Sequence, residues 1–306
     1  MGVLNPAKAS PAAPGRFLRK LRENMVSYAF LLPFLLFFCV FNLYPIINTF
    51  ALSFQNVGIL SKTNNFVGLA NFNEILTEVR FRNALFTNFF FILVNVPAAQ
   101  IIALAFSMLL KKKAASSGFF ETVMFLPMLL SMVAAGIIIS YVLSPKGPLN
   151  YLLEAAGIAR IQWFNAPVTA RFAVSILELW KGAFFYTYIY LTALRNIPQD
   201  VADAAKIDGA SGLRGFFSVT FQMIRNTIMF CVVMCTIWQF QIFDSVWVLT
   251  GGGPLRATET VIYTIYLTSF QLNRMGAAAS LTVVFVLLIL AITLIQRKFL
   301  SSNVEL

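Results

Sequence analysis

Six stretches of about 20 or more mostly apolar residues divide this chain of 306 residues. They run over about 26–47, 85–110, 122–143, 171–194, 224–249 and 277–295. A helix rises 1.5 Å per residue, so each stretch is long enough to cross the roughly 30 Å hydrocarbon core of a bilayer. In that medium every backbone N–H and C=O must be satisfied within the protein, which leaves helices as the form such stretches take. The fold expected is an all-α polytopic membrane protein with six transmembrane helices. Residues 23–306 are expected to form a single transmembrane domain behind a disordered basic tail, 1–22. The first stretch is too long for the core of a cleaved signal peptide and has no obvious small-residue cleavage site, so it is read as an uncleaved membrane helix.

Composition agrees: 59% of residues are apolar and 11% charged, against about a quarter charged in soluble domains. A net charge of +11 raises the question of nucleic acid, but the basic residues cluster beside the apolar stretches, as topology signals do. With the N-terminus inside, the inner set is Lys8, Arg16, Arg19, Lys20, Arg22, Lys111, Lys112, Lys113, Arg195, Lys206, Arg214, Arg225, Arg297 and Lys298. It outnumbers the outer set of Lys62, Arg80, Arg82, Lys146, Arg160, Arg171, Arg256 and Arg274. Both termini and the segment between the fourth and fifth helices are therefore expected in the cytoplasm.

Several chemistries are removed at the outset. There is no His, the commonest general base and metal ligand, and no catalytic or metal-binding cluster stands out. Cys39, Cys231 and Cys235 lie within apolar stretches and read as small hydrophobes. No phosphate-binding Gly-x-x-x-x-Gly-Lys-Ser/Thr loop occurs, so any ATP and Mg would be bound by another subunit.

The segment between the fourth and fifth apolar stretches is different in kind. From Pro198 to Gln222 it holds Asp200, Asp203 and Asp208, three of the chain's 12 acidic residues. Pro198 suits a helix start, Asp200 and Asp203 suit its positive end, and Lys206 its negative end. Gly209 can take positive φ and stop the helix. A capped helix of about eleven residues, ~16 Å long, is expected. Val201, Ala204, Ala205 and Asp208 fall on one face, and its alanines would let another backbone approach closely. An ordinary connecting helix lying on the bilayer surface fits the same residues.

Polar groups also occur at mid-membrane depth. Glu178 and Lys181 sit near the middle of the fourth stretch, where each costs about 2.5–3.5 kcal/mol. Three residues apart, they can pair on the helix surface; otherwise one or both face a polar path. In the fifth stretch Trp238, Gln239, Phe240, Gln241 and Asp244 interleave aromatic and polar groups, as sugar sites do and as buried interhelical hydrogen bonding also does. Gln239 and Gln241 point some 200° apart on an ideal helix. Gln239 is the one expected to face a cavity, leaving Gln241 to pair with Asp244 or a partner.

These residues carry a resemblance. Asp203-Ala204-Ala205, then Gly209, then Val219-Thr220-Phe221-Gln222 follow the spacing of the loop that marks permease subunits of bacterial ATP-binding-cassette importers. The departures are Asp203 for Glu, Val219 for Ile, Phe221 for Leu and Gln222 for Pro. A second start of that pattern, Glu154-Ala155-Ala156-Gly157, lacks the Asp-Gly-Ala continuation and is read as a turn of surface helix. Tyr44-Pro45, Trp180-Lys181-Gly182, Leu249-Thr250-Gly251-Gly252-Gly253-Pro254 and Gly276-Ala277-Ala278-Ala279-Ser280 resemble the carbohydrate-importer branch of the family, the maltose type. The resemblance covers nearly the whole chain after about residue 25.

The resemblance implies a cytoplasmic coupling helix between helices 4 and 5. Val201, Asp203, Ala204, Ala205, Asp208, Gly209 and Ala210 would dock on an ATPase. It implies a substrate path near Trp180, Lys181, Gly182, Gln239, Gln241 and Asp244. The partners implied are a second homologous permease, two ATP-binding-cassette ATPases that bind ATP and Mg, and an extracytoplasmic sugar-binding protein. The setting implied is the bacterial plasma membrane. The rival reading is an ion-gradient-driven secondary transporter using Glu178, Lys181 and Asp244 as a relay, against which stands the lack of a half-to-half repeat.

Overall fold

The computed structural model describes residues 25–58, 65–111, 117–210 and 212–300, so the tail expected at 1–22 lies outside it. The chain divides into two units, Met1–Ala51 and Leu52–Leu306. In the first, α1 (Met25–Phe38) runs through a π-turn at Cys39–Leu43 into α2 (Tyr44–Leu52). The wide turn has a local cause. Pro45 has no N–H for the carbonyl of Phe41, and its ring crowds that carbonyl. Widening the turn, with the Tyr44 N–H reaching the Cys39 carbonyl, carries the helix past the proline without a break.

The described part of the second unit is helical apart from a small antiparallel ladder, β1 (Gln55–Asn56) with β2 (Asn65–Phe66). The ladder is fixed by α3 (Ala70–Thr77), where the Asn71 amide donates to the carbonyls of Ser53 and Gln55 at 2.9 Å each. It also meets the start of the last helix, where the Gly276 N–H donates to the Val57 carbonyl at 3.1 Å. A Cβ at 276 would stand 1.9 Å from the Gln55 carbonyl oxygen, so only glycine allows this approach.

Next come α4 (Val79–Leu110), α5 (Ser117–Leu129), α6 (Met132–Val142), α7 (Pro148–Ala155), α8 (Pro167–Arg195) and α9 (Gln199–Ile207). After a short α10 (Gly212–Gly215) and a π-turn at Phe216–Thr220 come α11 (Phe221–Met223), α12 (Arg225–Phe240) and α13 (Asp244–Leu249). The chain ends with α14 (Val261–Tyr266), a π-turn at Leu267–Gln271, and α15 (Met275–Leu300).

The spine is α4 against α8. In lipid, apolar side chains gain little by leaving solvent for one another, so close packing and hydrogen bonds must hold helices together. Ala99 and Ala103 on α4 permit that closeness, buried with Tyr186, Tyr190 and Leu194 of α8 and Cys231 and Cys235 of α12. The Tyr190 hydroxyl donates to the Gln100 side-chain carbonyl across the same interface. A second cluster joins Phe81 and Ala84 of α4 to Phe240, Val261, Leu281 and Phe285.

Ser27–Leu52, Val79–Leu110 and Met275–Lys298 are long and apolar enough to cross a membrane, and two bent helix pairs raise the number to as many as five. Helix α8 has 29 residues, about 44 Å, but with Glu178 and Lys181 inside it is not apolar enough to qualify by composition. The chain is a polytopic helical protein.

Two stretches expected as continuous helices are broken. Glu121–Leu129 and Met132–Val142 meet at 107°. Pro127 lies inside α5, and the Ser131 hydroxyl caps α6 by accepting from the Ala134 N–H at 3.2 Å. The stretch 224–249 stops at Phe240 and resumes at Asp244. Apolar residues continue through both breaks, so mean hydropathy does not register them.

The second break is held by Asn88, which is fully buried. Its amide N–H groups reach the Gln239 and Phe240 carbonyls at 3.3 and 3.2 Å, and its oxygen accepts from the Val261 N–H at 2.9 Å. Asn88→Leu takes the side-chain partner from two buried carbonyls and a buried N–H, and each group left unsatisfied costs about 1–3 kcal/mol. Thermal unfolding in detergent should show a loss of about 3 kcal/mol; an unchanged melting temperature would mean that other donors close the break.

Candidate functional site

Two features carry the sequence-predicted site residues. The first is α9. It begins one residue after Pro198, has Asp200 in its first turn, and ends where Gly209 takes φ +74°. No atom would lie within 4 Å of a Cβ there, so glycine is needed for its backbone angle and not for space. The Ala210 N–H closes the end on the Ala205 carbonyl at 2.8 Å, the long bond of a Schellman cap. Asp203, Ala204, Asp208 and Gly209 are exposed, and Val201, Ala205 and Ala210 are half-buried. Ile207 is 87% exposed. The sequence reading passed over Ile207 because it lies outside the face chosen for its alanines. The signal was present: a large β-branched apolar residue in the last turn, off the face that holds Val201 and the alanines.

The look-alike Glu154-Ala155-Ala156-Gly157 closes α7 instead. Gly157 takes φ +78°, and Arg160 donates to Glu154 at 2.7 Å in an exposed ion pair. That hydrogen bond and the carboxylate's attraction raise the Arg160 pKa.

The second feature is a cavity of about 580 Å³ lined by Met128, Met132, Glu178, Lys181, Gly182, Phe185, Trp238, Gln241, Ile242, Phe243 and Asp244. Both helix breaks open onto it. The Lys181 ammonium donates to the Leu130 carbonyl at 2.7 Å and the Met128 carbonyl at 3.4 Å. It thereby satisfies groups that the end of α5 leaves without helical partners and meets the negative end of that helix. The Glu178 carboxylate accepts from the Ser245 hydroxyl at 2.6 Å, fixing the start of α13. Trp238 stands on one wall, its ring centroid 5.0 Å from that of Phe185.

Of the residues expected on a substrate path, Lys181, Gly182, Gln241 and Asp244 line this cavity. Trp180 packs instead beside the cluster of Ala135, Ile139, Leu143, Ala173 and Leu177. The choice of Gln239 as the cavity residue does not hold. Gln239 is 6% exposed, and its side-chain oxygen accepts from Asn95 at 2.7 Å. Gln241 is the exposed one, because the helix ends at Phe240 and the ideal phase no longer applies. The Glu178–Lys181 ion pair does not form either; each finds a partner on another element. Met128 and Met132 were missed, and the Pro127 to Ser131 break was the signal that could have found them.

Lys181→Met should lower unfolding stability in detergent by about 1–3 kcal/mol, since it strands backbone carbonyls at the break. Gln241→Ala, which removes an exposed side chain, should change it by about 0.5 kcal/mol or less. Equal losses would mean that the lysine does not hold the break.

Residues 101–303 match the model of a family described as a binding-protein-dependent transport system inner membrane component. The chain is 29% identical over 283 residues to the trehalose/maltose transport system permease protein MalF of Thermococcus litoralis, covering 91% of this chain and 95% of that one. It is 27% identical over 285 residues to the sn-glycerol-3-phosphate transport system permease protein UgpA of Agrobacterium fabrum, covering 92% and 97%. Its fold matches a chain in the crystal structure of a bacterial ABC transporter that imports the acidic polysaccharide alginate. There the TM-score is 0.82 at 20% identity, over 93% of this chain and 98% of that one.

Proposed function

This chain belongs to the family of binding-protein-dependent transport system inner membrane components, and from that premise we propose that it moves a sugar or oligosaccharide through the cavity by alternating access. As a permease it is a non-catalytic membrane subunit. The observation that carries the reading is that the family match, 101–303, spans both the cavity and α9. Sugars suit a wall of aromatic rings interrupted by an amide and a carboxylate, with ring faces on C–H surfaces and polar groups on hydroxyls.

In this reading six helices cross the bacterial plasma membrane: α1–α2, α4, the α5–α6 pair, α8, the segment through α12, and α15. Both termini lie in the cytoplasm. Helix α9 is the coupling helix between the fourth and fifth, docking through Val201, Asp203, Ala204, Ala205, Asp208, Gly209 and Ala210, with Ile207 added as its exposed apolar contact. Two ATPase subunits bind ATP and Mg, a second homologous permease completes the path, and an extracytoplasmic binding protein delivers the cargo. Coupling requires α9 to bind the ATPase differently in the two states. The ion-gradient rival has lost its relay, since Glu178 and Lys181 hold Ser245 and the α5 end instead of each other.

Gly209→Val forces a β-branched residue into positive φ, disfavouring the cap by roughly 1 kcal/mol or more. Uptake and transport-stimulated ATPase activity should fall in an assembled complex; full activity of both would remove α9 from the coupling role. Cysteines placed at 200–210 in a Cys-free variant should resist an impermeant thiol reagent in intact cells, while those at 150–160 should react. The reverse pattern would invert the proposed topology.

A further inference from the structure

Sugar importers can serve neutral or anionic cargo, and the charges around this cavity separate the two. Three charged side chains line it: Glu178, Lys181 and Asp244. Among the described lining residues the cation is Lys181, and two of its three N–H bonds are directed at the Leu130 and Met128 carbonyls. Its charge meets the negative end of α5, which carries about half an elementary charge. Glu178 is held by Ser245 on the cavity wall. Asp244 is exposed, with no hydrogen bond or ion pair among the described residues. Gln241, also exposed, lies three residues before it. Among the described residues no arginine lines the cavity, and arginine's planar fork is the usual receptor for carboxylate and phosphate.

Building on the import reading above, we propose that this cavity takes carbohydrate without net negative charge and rejects uronates and sugar phosphates. Asp244 accepts hydrogen bonds from sugar hydroxyls, and Gln241 donates and accepts. The faces of Trp238, Phe185 and Phe243 cover C–H surfaces. An anionic group at the same place meets an unneutralised carboxylate and, among the described residues, only a lysine already committed to backbone carbonyls.

The charge of the cavity can be read without knowing the sugar. In the full importer complex in lipid nanodiscs, Met132→Cys or Met128→Cys is introduced into a Cys-free background. Each is labelled with a cationic trimethylammonioethyl and an anionic sulfonatoethyl methanethiosulfonate, with rates normalised to a free thiol. The cationic reagent should react roughly tenfold faster or more, and Asp244→Asn should bring the ratio toward one. Equal rates, faster sulfonate labelling, or no labelling by either reagent would overturn the proposal. A second arm follows radiolabelled maltotriose, sn-glycerol-3-phosphate and an alginate trisaccharide into vesicles carrying the complex and its binding protein. Uptake of either anion would overturn the charge proposal, and uptake of maltotriose without them supports it. If none of the three enters, the import reading is what suffers, while the reagent ratio still decides the charge of the cavity.

Discussion

A carbonyl oxygen that loses its helical N–H inside a bilayer must find another donor, because no water is there to supply one. That constraint organises the second unit. The chain breaks its helices at 130–131 and at 241–243, and side chains from the α4–α8 spine reach both breaks. Lys181 of α8 reaches the carbonyls at the first. Asn88 of α4 reaches those at the second, where Thr260 also donates to the Ile242 carbonyl at 2.7 Å. The cavity lies between the two closures. Irregular backbone at membrane depth is tolerated where protein buries it or where it lines such a space, so breaks and cavity are one feature.

This explains which parts of the molecule were legible in the sequence. Apolar length is a local property: the stretches expected at 85–110 and 277–295 fall inside α4 (Val79–Leu110) and α15 (Met275–Leu300), which extend up to about six residues beyond them. The α9 helix was legible for the same reason: Pro198 before it, Asp200 in its first turn and Gly209 after it act on their own neighbours. The breaks are different. Pro127 and Ser131 are local signals, but the partner that makes the break tolerable, Lys181, comes 51 residues after Leu130. A proline alone inside an apolar stretch does not foretell a right-angled turn; Pro97 sits inside α4, which continues to Leu110.

The mid-membrane polar residues show the same limit. Insertion energetics required Gln239, Gln241, Glu178 and Lys181 to avoid lipid, without distinguishing a packed interior from an open cavity. Gln239 was decided by Asn95, 144 residues away. Glu178 was decided by Ser245, 67 residues away. Helical spacing put Glu178 beside Lys181, yet spacing gives only opportunity. Exposed or weakly held ion pairs contribute about 0–1 kcal/mol, whereas a stranded backbone carbonyl costs about 1–3 kcal/mol. On those magnitudes the lysine belongs on the carbonyls.

The same geometry bears on how a pull on α9 would reach the cavity. Helix α8, which carries Glu178 and Lys181, ends at Arg195, and α9 begins at Gln199. Three intervening residues leave little slack to absorb a displacement. On the other side, Phe216–Met223 and Arg225–Phe240 meet at 68° around Ile224, which is 2% exposed in the cluster that joins α4, α8 and α12. Trp238 stands near the far end of α12, on the cavity wall. Helix α9 is therefore tethered closely to α8, and through the longer run of α10, the π-turn and α11 to α12, the two helices that supply most of the cavity's polar and aromatic groups. At the same end of α8, Arg195 is paired with Glu121 of α5 at 2.7 Å and donates to the last carbonyl of α4, at Leu110, at 3.3 Å. On the import reading proposed above, a displacement of α9 would reorient this tied group of helices, and the cavity between the two breaks would be where their relative movement changes the space available to cargo.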